Sequence, residues 1–160
     1  MDKMPLIAVI FQSIPEEIIV YSFGMAIVGE FINIKKVIIA AVITAFAMMF
    51  ARNYIPYFGL HSIIVILILF ILFWKLLGLK AWKALISALL STTVLILLEN
   101  FILQAIFYLK NISLTDILQD NFKRIIYTYP HLTIFGFGTW LIYHNKWFLI
   151  KGSRTSNVKL

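Results

Sequence analysis

The sequence predicts an all-α protein, a polytopic transmembrane helix bundle of about five spans with a short interfacial helix between the fourth and fifth. Of its 160 residues 62% are hydrophobic and only 13% charged, and the mean hydropathy is +0.95. No soluble domain of this size can hide that much apolar surface. Residues 53–74 form an uncharged run of 22 and residues 125–145 one of 21, each long enough to cross roughly 30 Å of hydrocarbon. The basic residues are scattered between apolar runs, as membrane-flanking anchors are and a phosphate-binding patch is not. No nucleic-acid partner is therefore expected, in spite of the formal charge of +7.

The spans must be helices, because hydrocarbon offers no water to satisfy the backbone of open strands. The first is expected from about Ile14 to Phe31, preceded by a helical turn or two over Pro5–Gln12 with a bend at Pro15. Pro15-Glu16-Glu17 interrupts the first apolar stretch and no A-x-A-like site follows, so the start reads as mature protein rather than a cleaved signal. The second span covers Val37 to Ala51, the third runs from about Phe58 to Leu77, and the fourth from Ala81 to Tyr108. The fifth is Ile125 to Asn145, with Pro130 near its start. Between the last two, Ser113 with Asp116 three residues on makes a capping-box-like helix start. Leu114, Ile117, Leu118 and Phe122 share one face of that interfacial helix, an amphipathic connector or a ligand-contacting lid. Residues 1–150 thus form one transmembrane domain, and 151–160 a short polar tail.

Basic residues set the expected orientation. Lys35, Lys36, Lys75, Lys80, Lys83, Lys146, Lys151, Arg154 and Lys159 collect on one side, nine against five on the other: Lys3, Arg52, Lys110, Lys123 and Arg124. Positive residues stay cytoplasmic, which places the C-terminus inside and the N-terminus outside. Trp74, Trp82 and Trp147 stand at the same inner boundary, as an aromatic belt does.

In this topology the polar groups fall in one outer layer. Glu16 and Glu17 open the first span, Arg52 and Asn53 close the second, His61 opens the third and His131 the fifth. Glu99 lies 99 − 82 = 17 residues beyond Trp82, roughly 25 Å up the fourth helix at about 1.5 Å per residue, with Gln104 above it. A buried carboxylate costs several kcal/mol unless paired, and Arg52 could offer Glu99 or Glu16 a bidentate partner. Two readings stay open: an ion-pair network tying helices together, and an outward-facing pocket for a ligand, since intramembrane ionisable residues seldom lack a role. Glu30 and His144, near the inner boundary, read as solvated cap residues.

Catalysis is not expected. Cysteine is absent, which removes disulfides, thiol nucleophiles and cysteine metal sites together. His61, His131 and Glu99 show no metal-ligand spacing. Glu16-Glu17 is similar to the paired glutamates of intramembrane CAAX-type proteases, but Tyr21 stands where that family has arginine, and its histidine motifs are missing. Phe135-Gly136-Phe137-Gly138 lies inside an apolar span, so its small residues serve helix approach, not nucleotide binding. No cofactor and no metal are expected.

Ser13-Ile14-Pro15-Glu16 opens the first span, and Arg52 precedes Ile55-Pro56. Phe58-Gly59-Leu60-His61 opens the third span, and Leu98-Glu99 comes late in the fourth. In this order, over roughly residues 5 to 148, the chain resembles the N-terminal multi-span sensor region of Gram-positive GHKL-type sensor histidine kinases, broadly like the accessory-gene-regulator receptors. The resemblance implies Pro15, Glu16, Arg52, Pro56, Gly59, His61 and Glu99 as characteristic positions. It also implies an extracellular signal, in some members a peptide, relayed inward to a cytoplasmic kinase. The sequence departs from the family in having no phosphoacceptor helix and no ATP-binding domain after the last span. The expected function is a non-catalytic sensory module that passes a peptide or small-molecule signal to a kinase or other membrane partner. The alternatives are a small transporter or substrate-binding subunit, disfavoured by the apolar inner half and the lack of repeats, and a structural partner subunit.

Overall fold

A computed structural model describes residues 6–54, 60–110 and 121–150, with side chains over 6–51, 63–109 and 125–150. All secondary structure among them is helical. Helix α1 runs over Leu6–Ile27, α2 over Ile34–Tyr54, α3 over Leu60–Lys75, α4 over Ala81–Lys110 and α5 over Asn121–His144. Three segments are long and apolar enough to cross a membrane: Leu6–Ile27, Ile34–Ala51 and Ala81–Leu109. The chain is a membrane protein. The expected interfacial helix over 113–118 lies outside the described residues.

The surface shows why this is not a soluble bundle. On α3, Val65, Leu69 and Phe73 are buried while Ile63, Leu67 and Ile71 on the opposite face are each at least half exposed. Both faces follow helical spacing and both are apolar. A helix that is hydrophobic all round belongs in a large core or in lipid, and this chain is too small to supply the first. On the other helices Ile39, Phe50, Leu89, Ile134 and Phe137 continue the lipid-facing surface.

Helix α1 is the hub. It packs directly on α2, α4 and α5, and α3 closes the bundle between α2 and α4. Its contacts with α4 are close because the facing residues are small: Gly24 meets the fully buried stripe Ala84, Ser87, Ala88, Ser91 at helical spacing. Without a hydrophobic force between helices in lipid, such small-residue approach is a main source of association. The Ser87 hydroxyl donates to the Gly24 carbonyl at 2.9 Å. Between α1 and α2 the link is Tyr21 to Thr44 at 2.7 Å. Thr44 spends its one proton on the Ala40 carbonyl at 3.1 Å, so Tyr21 is the donor. Ring contacts complete the hub, Tyr21 on Phe73 at 4.9 Å and Phe23 on Phe135 at 5.1 Å.

The first helix includes the turns expected before Pro15. It is continuous through Pro15, with a π-helical stretch over Val9–Ser13 where Ile14 N–H reaches back to Val9 O. Pro15 has no N–H for the Phe11 carbonyl four residues earlier. The Tyr129 hydroxyl of α5 donates to that carbonyl instead, at 3.3 Å. A wide turn before a proline is a recognised way for a helix to absorb it.

The bundle has two unlike ends. At one, α1 closes in a Schellman turn: Gly29 sits at φ +67°, its N–H bonds Ala26 O at 3.0 Å and the Glu30 N–H bonds Met25 O at 3.1 Å. Gly78 and Lys146 take left-handed φ after α3 and α5, and Leu149 N–H ties the chain beyond α5 to Ile27 O at 2.8 Å. Here Glu30 is not a solvated cap. It accepts from Lys83 Nζ at 2.6 Å, with the side chains only 19% and 8% exposed. The sequence distance of 53 residues hid the pair. His144, by contrast, is exposed and stacks on Trp140.

Two outcomes follow from this packing. A Cβ at Gly24 would stand 2.8 Å from Phe73 Cε1 and 3.2 Å from Ser87 Cβ, so Gly24→Ala should destabilise the protein by about 1–3 kcal/mol, read as a lowered unfolding midpoint in detergent. Lys83→Met should cost roughly 1–3 kcal/mol, below the value for a fully buried pair, and adding Glu30→Leu should recover most of it.

Candidate functional site

Farther along the bundle from that end, the middle of α1, the latter part of α2, the middle of α3 and the middle of α4 line a cavity of about 160 Å³. Three carboxylates line it: Glu16 and Glu17 from α1, Glu99 from α4. They arrive there by simple helix geometry. Glu16 and Glu17 follow Pro15 in the first α-helical turn after the π stretch. Glu99 lies on α4 one turn beyond Leu95 and two beyond Thr92, so all three look the same way. The rest of the wall is apolar, including Val20, Met48, Val65 and Leu69.

Glu17 is the unusual member. It is 3% exposed, and its Oε2 meets no hydrogen-bond partner. Burying an unpaired charge is far more costly than burying a satisfied polar group, so an orphaned carboxyl oxygen needs a reason. Glu16 and Glu99 are partly exposed, and each takes part in further polar interactions.

The other sequence candidates fall differently. Arg52 and Asn53 lie on the last turn of α2 and His61 on the first turn of α3, but their side chains lie outside the described residues, and so does the expected pairing of Arg52 with Glu99 or Glu16. His131 is on α5 and does not line the cavity. Tyr129 meets α1 at Phe11 and Gly136 faces Ile19, so His131 sits between those levels, 1% exposed, with neither ring nitrogen hydrogen-bonded. Gln12 Oε1, on the α1 turn in that interval, is likewise buried without a partner. The polar layer is therefore split, with carboxylates in the cavity and an imidazole at the α1–α5 seam.

Sequence reasoning did not find Thr92 and Met48 in the wall. Thr92 hides its hydroxyl on Ala88 O at 2.7 Å, which is how a threonine passes in an apolar helix. A second crevice of about 240 Å³ lies between α1 and α5, beside Ile19, Gly136 and Trp140. It is mostly apolar, with Ser22, Thr139 and Tyr143 as its polar residues and no carboxylate. Among the described residues no group of His, Cys, Asp or Glu is arranged to hold a metal ion.

Removing the orphaned oxygen's carboxyl group should stabilise the fold. Glu17→Gln should raise the unfolding free energy and Glu17→Met should raise it more, by about 1–3 kcal/mol; thermal unfolding in detergent micelles gives the order, and a loss of stability in both would show that Glu17 is satisfied within the fold. No family model matches the chain, and no curated protein or solved structure matches it either.

Proposed function

We propose that this chain is a non-catalytic sensory module of a bacterial cytoplasmic membrane, spanning it five times, which receives an extracellular signal in the Glu16–Glu17–Glu99 cavity. The observation that carries the reading is the convergence of three glutamates from two helices on one cavity, one of them buried with an orphaned oxygen. Charged groups in membrane segments mark functional pathways more often than scaffolds. The resemblance to the membrane region of GHKL-type sensor kinases points the same way, since it rests partly on Glu16 and Glu99.

The five-span reading counts α3 and α5 with the other three. Helix α5 has 24 residues, roughly 36 Å at about 1.5 Å each; the polar Thr128, His131 and Thr139 that lower its hydropathy are all buried inside the bundle. Helix α3 has 16, roughly 24 Å on the same rule, and shorter spans are met by local thinning of the bilayer. The lysine-rich end, with Trp74 and Trp82 beside Lys75 and Lys83, faces the cytoplasm. The cavity then opens toward the outside.

Relay to a partner kinase or other membrane protein would run along α1. It holds Glu16 and Glu17 midway along its length, and its C-terminal end accepts the hydrogen bond from Leu149 beyond α5. A ligand preferring one packing of α1 against α4 and α5 would shift the population of that packing at the cytoplasmic end.

Because the chain has no cysteine, single reporters are clean. In intact cells a membrane-impermeant maleimide should label Tyr108→Cys and spare Asn145→Cys. A spin label at Asn145→Cys in proteoliposomes should change mobility with a fraction of conditioned growth medium, and Glu17→Gln should abolish the change. No response to any fraction would remove the sensory reading. Accumulation of a medium component inside the vesicles would assign transport instead.

A further inference from the structure

We infer that the cavity is a site for a small organic cation, a primary ammonium group on a short aliphatic body, with Glu17 Oε2 as its acceptor. The inference rests on the sensory reading for its location and deepens it by naming the ligand's chemistry.

Charge comes first. Every ionisable group in the described wall is a carboxylate, and the innermost of them, Glu17, is 97% buried with an oxygen that no protein donor reaches. An anion would meet three acidic groups there, and an ionised Glu17 needs a counter-charge in a low-dielectric site. A cation with N–H donors satisfies both requirements, because a charge-assisted N–H···O⁻ bond is among the stronger polar contacts available.

The walls then decide between an inorganic and an organic cation. A hard metal ion needs six or more oxygen ligands or retained waters. The glutamates here are not arranged to hold a metal, and Val20, Val65, Leu69 and Leu95 fill the positions that such ligands would need. Those side chains instead fit a hydrocarbon stem. The volume of about 160 Å³ is close to the ~150 Å³ cavity that admits benzene, which sets the buried part of the ligand at about six heavy atoms. A lysine-like side chain, a peptide N-terminus with a small first residue, or a free alkylamine all present this group.

The test uses the intact chain in detergent micelles, titrated at constant ionic strength with n-butylammonium chloride, n-butanol and sodium butyrate. Saturation-transfer NMR and the unfolding midpoint are the readouts. Saturable binding of n-butylammonium, absent for the other two and weakened at least tenfold by Glu17→Gln, is expected. Val65→Phe, which fills the cavity and leaves every carboxylate in place, should also abolish binding while the protein still unfolds cooperatively. Equal binding of n-butanol, preferred binding of butyrate, or unchanged n-butylammonium binding in both variants would overturn the inference. A medium-driven signal at Asn145→Cys without any n-butylammonium response would remove the ammonium class and leave the sensory reading. Ammonium binding that never reaches Asn145 would do the reverse.

Discussion

The close approach of α1 to α4 at Gly24 is the constraint on which the rest depends. In lipid an exposed leucine is as well solvated as a buried one, so helix association must come from packing and hydrogen bonds. Gly24 and the Ala84–Ser87–Ala88–Ser91 stripe let two backbones come close enough for a side chain on one to bond the carbonyl of the other. Phe73 fills the space above the glycine and stacks on Tyr21, bringing α3 in. Tyr21 in turn bonds α2. One small residue thus organises four helices.

That arrangement also explains the contrast between the two ends. The Schellman turn at Gly29, the Lys83–Glu30 pair and the Leu149 bond all bind one end of α1 firmly. At the other end the same helix widens into a π stretch, loses the Pro15 donor and leaves Gln12, Glu17 and His131 with unsatisfied atoms. Among the described residues, no buried side-chain atom at the Gly29 end of α1 is orphaned, whereas Gln12 and Glu17 on the same helix each have one. Natural proteins leave such local conflicts at functional sites and stabilise the structure elsewhere.

Much of this was legible in the residues. Long uncharged runs, lysines at their ends and a carboxylate pair after Pro15 locate the helices to within a few residues, because period, length and charge placement are local properties. At Pro15 the sequence shows the missing donor but not Tyr129, which is 118 residues away and bonds the Phe11 carbonyl. Glu30 misled for the same reason. A lone acid near a span end looks solvated until the fold brings Lys83 against it.

The sequence by itself determined that the chain must be helical and membrane-embedded, since no other structure satisfies so apolar a backbone, and that Glu16, Glu17 and Glu99 fall at similar depth. Depth is counted along one helix at a time, at about 1.5 Å per residue. Which way each residue faces around the bundle depends on helix rotation and neighbour choice, which are set by contacts between residues far apart in the chain. Only the tertiary structure therefore decided that the three glutamates share one cavity, that His131 stands apart from it at the α1–α5 seam, and that Glu17 keeps an oxygen with no partner.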